Sequence, residues 1–343
     1  MIRFTSGLLL VFTGALPAAA QWIWTPETGR FVNLKRLPKE TPELQIEFAR
    51  SLMVGGKFGD ALKETNKFQD FYGESELADE NQFLRGEIKM HQEDWLPAAR
   101  EFQSVVDNYP DSALFDDVIK NQYAIGDSLF EQGVKNMERA KDKAWYQFWR
   151  YRPRTKRPLK RAVDVYTMVK GNQPFTPEAA QAQYKIGQSY FAREAFLDSA
   201  LEYRLVLEQY PTSDWVDEAS YGLIQSYKAA SVAPQYDQAP SQLAIDAIAD
   251  FKGRFPDDAR NEELAATSAE LNEKIAQQRL LTAKYYETRH LWRSTRIAYE
   301  TVVNHYAVTE AGKAAKDWLD SHLPDESLIS KYLGLASAAG SGQ

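Results

Sequence analysis

The sequence predicts an all-α chain, a right-handed superhelical stack of about six antiparallel helix pairs, on three observations. First, Gln181 to Pro211 places a small residue, aromatic residues and a closing proline where an antiparallel helix pair needs them. Gly187 lets a second helix cross closely, Tyr190 and Tyr203 fill the seam, and Pro211 ends the second helix because it has no amide to donate. Second, the same frame returns five times elsewhere. Third, a composition 44% hydrophobic, rich in aromatics and modest in Pro and Gly supports a sizeable core and excludes a disordered chain.

Ile186-Gly187, Tyr190, Ser199-Ala200, Tyr203 and Tyr210-Pro211 together resemble the roughly 34-residue tetratricopeptide unit. The helical frame opens at Thr41-Pro42-Glu43, which reads as cap, proline and acid at a helix start. The first pair has Ala49 at the crossing, then Ala61 and Tyr72-Gly73. The second has Gly86, Ala98, Phe102 and Tyr109-Pro110. The third has Gly126, but its second helix restarts only at Ala162, 24 residues later than an uninterrupted frame allows (162 − 138). Tyr166 and Pro174 follow. The fourth is the template. The fifth has Gly222, Ala244, Phe251 and Phe255-Pro256, with 10 extra residues. The sixth has Ala283, Tyr286, Tyr299 and Tyr306, with Ala307 in place of the proline. A helix from about Thr309 to His322 covers the open end, as terminal repeats require.

The flanks read differently. Residues 1–20 carry Arg3, the apolar run Leu8 to Phe12 and the small-residue run Pro17 to Ala20, the pattern of a secretory signal. Residues 21–40 read as an irregular arm, broken at Pro26, Gly29 and Pro38, with Trp22, Trp24 and Phe31 either packed along the first helices or offered to a partner or membrane. Residues 41–322 form the repeat domain, and 323–343 read as a loose tail.

Charge is unevenly spread. Residues 135–161 hold 11 Lys/Arg against Glu138 and Asp142, a window of +9 in a chain of −7. Trp145, Tyr146, Phe148, Trp149 and Tyr151 lie among Arg150, Arg152, Arg154, Lys156 and Arg157. Basic residues interleaved with interfacial aromatics suit an anionic membrane or an acidic partner surface. The alternative is an extended helix pair whose aromatics pack on the stack and whose charges are merely solvated. The net negative charge argues against a generic nucleic-acid binder, so none is expected as partner.

Catalytic chemistry has no signature here. The absence of cysteine excludes disulfides, thiol catalysis, cysteine-ligated metals and a lipidated N-terminal cysteine. His91, His290, His305 and His322 have no metal-type spacing, and no G-x-S-x-G, P-loop or G-x-G-x-x-G occurs, so neither enzyme activity nor a cofactor or metal is expected. A binding surface is expected instead. Three residues before each crossing position, and one and four after it, share one face of the first helix. That face gathers Ile46, Arg50 and Met53, then Phe83, Glu87 and Met90, then Tyr123, Asp127 and Phe130, then Tyr184, Gln188 and Phe191. Aromatics and Met among single charges suit an extended peptide or partner loop, unless these residues simply pack between neighbouring first helices.

The fifth and sixth frames are more specific. Ala239-Pro240-Ser241-Gln242, Ala244-Ile245, Phe251 and Arg254 to Asp257 resemble the BamD family of outer-membrane assembly proteins. So do Ala283 to Arg289 with its Tyr285-Tyr286 pair, Trp292, Ala298 to Glu300, Asn304 to Tyr306, and the repeat end Tyr109-Pro110-Asp111-Ser112. The resemblance implies a non-enzymatic periplasmic scaffold at the inner face of the outer membrane. Its C-terminal repeats would contact a β-barrel insertase and its N-terminal repeats unfolded clients. The chain departs from the family in having Ala20-Gln21 where a lipidated cysteine is expected and in its longer, more basic insertion.

Overall fold

The computed structural model describes residues 22–25, 29–33, 37–141 and 156–322. The expected signal and tail segments and the central part of the basic insertion therefore lie outside the described residues. Among the described residues are 13 helices and one two-stranded hairpin. The chain divides into two compact units, residues 1–121 and 122–343.

The first unit opens with β1 (Trp22–Thr25) and β2 (Arg30–Asn33), paired antiparallel with Trp22 opposite Asn33 and Thr25 opposite Arg30. Residues 21–40 were expected to be irregular, and this hairpin corrects that. Gly29 enters β2 at φ +61, a conformation that costs glycine nothing. Four helices follow: α1 (Pro42–Val54), α2 (Phe58–Tyr72), α3 (Ala78–His91) and α4 (Trp95–Asn108). Thr41 caps α1 by accepting from the Leu44 amide at 3.4 Å, with Pro42 in the first turn, as the sequence predicts. Ile46, Ala61, Phe68, Leu84 and Ile88 form one buried cluster.

The helix α5 (Phe115–Lys141) begins in the first unit and ends in the second. The second unit continues with α6 (Arg157–Asn172), α7 (Pro177–Ala192), α8 (Phe196–Gln209), α9 (Val216–Ala230) and α10 (Ala239–Arg254). It closes with α11 (Asn261–Thr288), α12 (Trp292–Tyr306) and α13 (Glu310–His322). From α6 onward each helix packs on the next, the arrangement of tetratricopeptide-type pairs.

The crossing glycines act as the sequence predicts. A Cβ on Gly187 would stand 2.8 Å from the Tyr203 ring, one on Gly86 2.6 Å from Phe102, and one on Gly126 2.6 Å from Tyr166. Tyr203 is gripped from its other side by Gly222, where a Cβ would come within 2.7 Å of the ring. Ala162 and Ala244, the restart points of the two interrupted pairs, are fully buried. The 10 extra residues of the fifth pair make a turn around the Gln238 side chain, whose amide donates to the Ala233 and Tyr236 carbonyls at 3.0 and 3.1 Å.

One helix is longer than the frame suggests. The 28 residues of α11 serve two cores: Leu264 joins Ile224, Ile248 and Phe251, while Ala276, Leu280 and Ala283 join Tyr299, Val302 and Leu319. The stretch from Pro256 to Ala283 is more than twice that from Pro211 to Gly222, so the same subtraction that located the other two insertions marks this one. Thr309 caps α13 by accepting from the Gly312 amide at 2.9 Å, and the Glu273 carboxylate accepts from the Glu310 amide at 2.7 Å.

Candidate functional site

Two repeated devices fix how each pair presents its faces. In the four uninterrupted pairs, the seventh residue after the crossing position has positive φ: Gly56 (+72), Glu93 (+57), Glu194 (+61) and His290 (+57). The next amide then donates back five residues: Lys57 to the Leu52 carbonyl, Asp94 to Lys89, Ala195 to Tyr190 and Leu291 to Tyr286. This is the left-handed helix end that glycine usually serves, and three of these pairs accept it without glycine. The second device is a clamp. Gln45, Gln82 and Gln183 each donate the side-chain amide to the backbone carbonyl of a glutamate on the partner helix, at 2.9, 3.0 and 3.1 Å, and also to its carboxylate. The glutamates are Glu64, Glu101 and Glu202, each 19 residues on. The constant Gln-to-Glu spacing is a signal present in the sequence itself.

In the first unit, Phe83 lies buried with its ring 5.1 Å from Phe102, and Ile46 is buried in the core. Both are packing residues. Met53 and Met90 are half-buried. Arg50 joins two acids, Glu80 at 2.9 Å and Glu87 at 3.6 Å. The Glu87 Oε2 atom is buried without a hydrogen-bond partner. Burial pushes its carboxyl above the ordinary range, with Arg50 and then His91 pulling the other way. A half-buried, incompletely paired carboxylate on the predicted face is a feature a folded chain has no packing reason to keep.

In the second unit several predicted residues are bonded to other elements. The Tyr123 hydroxyl donates to the Glu178 carbonyl, and its ring lies 6.1 Å from Tyr166. Asp127 accepts from the Tyr166 hydroxyl at 2.6 Å and from Lys185 at 3.1 Å. Burial, then the Asp127 carboxylate, drive the Tyr166 phenol far above its usual value. Tyr184 stacks on Trp215 at 4.9 Å, and its hydroxyl accepts from Gln188 at 3.0 Å. Phe130 is half-buried, whereas Phe191 is partly exposed, its ring edge-on to Phe196 at 5.4 Å. Tyr123, Asp127 and Tyr184 thus join neighbouring elements, while Gln188 is bonded within its own helix.

Of the basic patch, Trp145, Trp149, Arg150, Arg152 and Arg154 lie outside the described residues. Lys156 is spent within the chain, donating to the Arg193 carbonyl and pairing with Glu194 at 3.1 Å. Arg157 is exposed.

Apolar side chains are also exposed around the α11–α12 turn, outside the predicted groove and within the stretch that carries the family resemblance. Leu281, Tyr285, Leu291, Trp292 and Ile297 are each about half exposed. The Arg289 guanidinium lies over the Tyr285 ring at 5.4 Å. In the same helices Glu287 accepts from the Tyr299 hydroxyl at 2.8 Å and the Trp318 indole at 2.9 Å, while Trp318 is stacked on Tyr299 and His322 at 4.0 and 4.4 Å. The indole hydrogen bond first, and the Tyr299 hydroxyl with it, hold the Glu287 carboxyl below the ordinary range. Half-exposed aromatics on helices braced in this way suit a protein partner.

Among the described residues no group of His, Asp and Glu could hold a metal ion, and no helix is long and apolar enough to cross a membrane. Residues 152–320, just under half of the chain, match the YfiO family, described as an outer membrane lipoprotein. Residues 80–112 match the tetratricopeptide repeat. No curated protein matches the chain. Among solved structures, the C-terminal part of a tetratricopeptide-repeat protein from Cytophaga hutchinsonii is 12% identical, with 81% of this chain and 88% of that one covered and a TM-score of 0.33. A tetratricopeptide-repeat protein from Thermus thermophilus is 14% identical over 67% and 98%, at 0.31. One from Parabacteroides merdae is 12% identical over 80% and 96%, also at 0.31. The repeat match and the chain's own helix pairs agree on a tetratricopeptide-type fold.

Proposed function

We propose that this tetratricopeptide-repeat chain is a non-enzymatic, protein-binding scaffold of the periplasm that helps assemble β-barrel proteins into the outer membrane, as BamD-like factors do. One observation carries the reading. The stretch similar to an outer membrane lipoprotein family includes the braced, half-exposed aromatic surface of α11 and α12. In this reading Tyr285, Leu291 and Trp292 dock the β-barrel insertase. The first unit receives unfolded clients on the Arg50–Glu87 face, where the partly exposed Arg50 and Glu80 side chains offer charge to an incoming segment. In this reading the insertase holds the chain at the membrane, with the basic segment around Arg150 to Arg154 as a second contact on anionic lipid.

The same departures, no cysteine and a long basic insertion, favour a second reading: a periplasmic adaptor that bridges other envelope complexes. Affinity capture from envelope membranes separates the two. The first reading expects the insertase to be recovered with the intact chain and lost with Tyr285→Ala/Trp292→Ala. Consistent absence of the insertase leaves the adaptor.

A further inference from the structure

The α6–α7 turn departs from its counterparts. The turns after α2, α4 and α8 are closed by a serine hydroxyl accepting from the amide two residues on: Ser75 from Leu77, Ser112 from Leu114 and Ser213 from Trp215. After α6 the chain instead runs Pro174-Phe175-Thr176-Pro177, with Thr176 capping α7 and the Tyr210 hydroxyl donating to the Pro174 carbonyl at 2.9 Å. Phe175 is thereby held on a braced turn, and yet it is 96% exposed. A large apolar side chain fixed in water gains nothing for the isolated fold.

Beside it opens a cavity of about 460 Å³ between the α6–α7 and α8–α9 turns, walled by Phe175, Pro177, Tyr210, Pro211 and Trp215, with Asp214 the charged side chain of its lining. Trp215 is held in place by its stack on Tyr184, so the wall is formed before any ligand arrives. The lining sets aromatic and prolyl side chains beside the polar Thr176, Gln209, Thr212 and Ser213, is open on one side and carries a single negative charge. No cation lines it, which disfavours anionic lipid or phosphate.

We propose that this pocket docks one aliphatic side chain of an extended partner segment, with a lysine or arginine beside the anchor pairing with Asp214. It is a second contact, apart from the α11–α12 surface, and rests on the protein-binding reading above. The Phe175 ring covers the anchor, and Asp214 sets the preference for a basic neighbour.

The test uses the full chain and three short fluorescent peptides: a leucine flanked by lysines in a Gly/Ser background, the same peptide with the leucine replaced by serine, and the same with the lysines replaced by glutamates. Anisotropy titrations are expected to show binding of the first, weakened by about tenfold or more in each of the other two. Phe175→Ala, at a fully exposed site, is expected to weaken the first peptide about tenfold, and Asp214→Asn to remove its advantage over the glutamate peptide. Equal binding of all three peptides, no binding of any, or unchanged affinity in Phe175→Ala overturns the proposal. So does a concentration-dependent dimer abolished by Phe175→Ala, which would assign the pocket to a second copy of this chain. Tyr285→Ala/Trp292→Ala leaves peptide affinity intact. Failure of insertase capture therefore strikes the function reading alone, and failure of the peptide series strikes this pocket alone.

Discussion

Glu87 and Glu93 lie six residues apart and are both unfavourable to the fold, for different reasons. The Glu87 carboxyl has its folded-state pKa raised by burial, so its contribution is favourable below the ordinary carboxylate pKa and is lost as pH rises through the raised value. At neutral pH its charge is a liability. Glu87→Gln is accordingly expected to raise the urea midpoint at pH 7, with the advantage disappearing near pH ~4; an equal or lower midpoint at pH 7 contradicts this. Glu93 is unfavourable through backbone conformation instead. Its φ of +57 crowds the Cβ, and its exposed side chain has little packing to lose. Glu93→Gly should stabilise the chain by about 1 kcal/mol in urea unfolding, since glycine takes that conformation without the clash. A loss of stability would show that the turn is held by the side chain. Of the two liabilities, only Glu87 lies on the face proposed above to receive clients.

Among the elements, the pairs were legible because their signals are local. A glycine that admits an aromatic ring, a proline that ends a helix and a threonine that caps one can each be read within a single pair, as at Gly187, Pro211 and Thr41. What escaped depends on more distant partners. The β1–β2 hairpin is a pairing of two four-residue strands with no strong alternation around Pro26, and the length of α11 appears only when Pro256 to Ala283 is compared with other pairs. On the predicted groove face, tertiary bonds such as Tyr123 to the Glu178 carbonyl, invisible in sequence, tie several residues to other elements. The closing helix makes its own prediction. Glu287 binds Trp318 and Tyr299, and these bonds lower its folded-state pKa, so their stabilisation is present above the ordinary carboxylate pKa of 4.5 and is lost as pH falls through the lowered value. Glu287→Gln should lower the thermal midpoint modestly at pH 7, the gap to the parent narrowing below about pH 4. A gap that persists unchanged at low pH would mean that packing, rather than charge, carries the contact.

For the whole molecule, the two units divide the proposed work. The first carries the incompletely satisfied Arg50–Glu87 face, and the second carries both the Phe175 pocket and the α11–α12 platform. Repeat scaffolds suit such division because each pair is stabilised mainly by its neighbours, leaving outward faces free to diverge. The central claim is that the α11–α12 surface docks a β-barrel insertase. Its most direct measurement places a photoreactive amino acid at Trp292 in living cells and identifies the crosslinked protein by mass spectrometry, with the same substitution at the exposed Glu93 as the control. The account predicts a crosslink to the insertase from position 292 and none from position 93; an insertase that is never crosslinked from 292, while the chain is folded and present in the envelope, would contradict it.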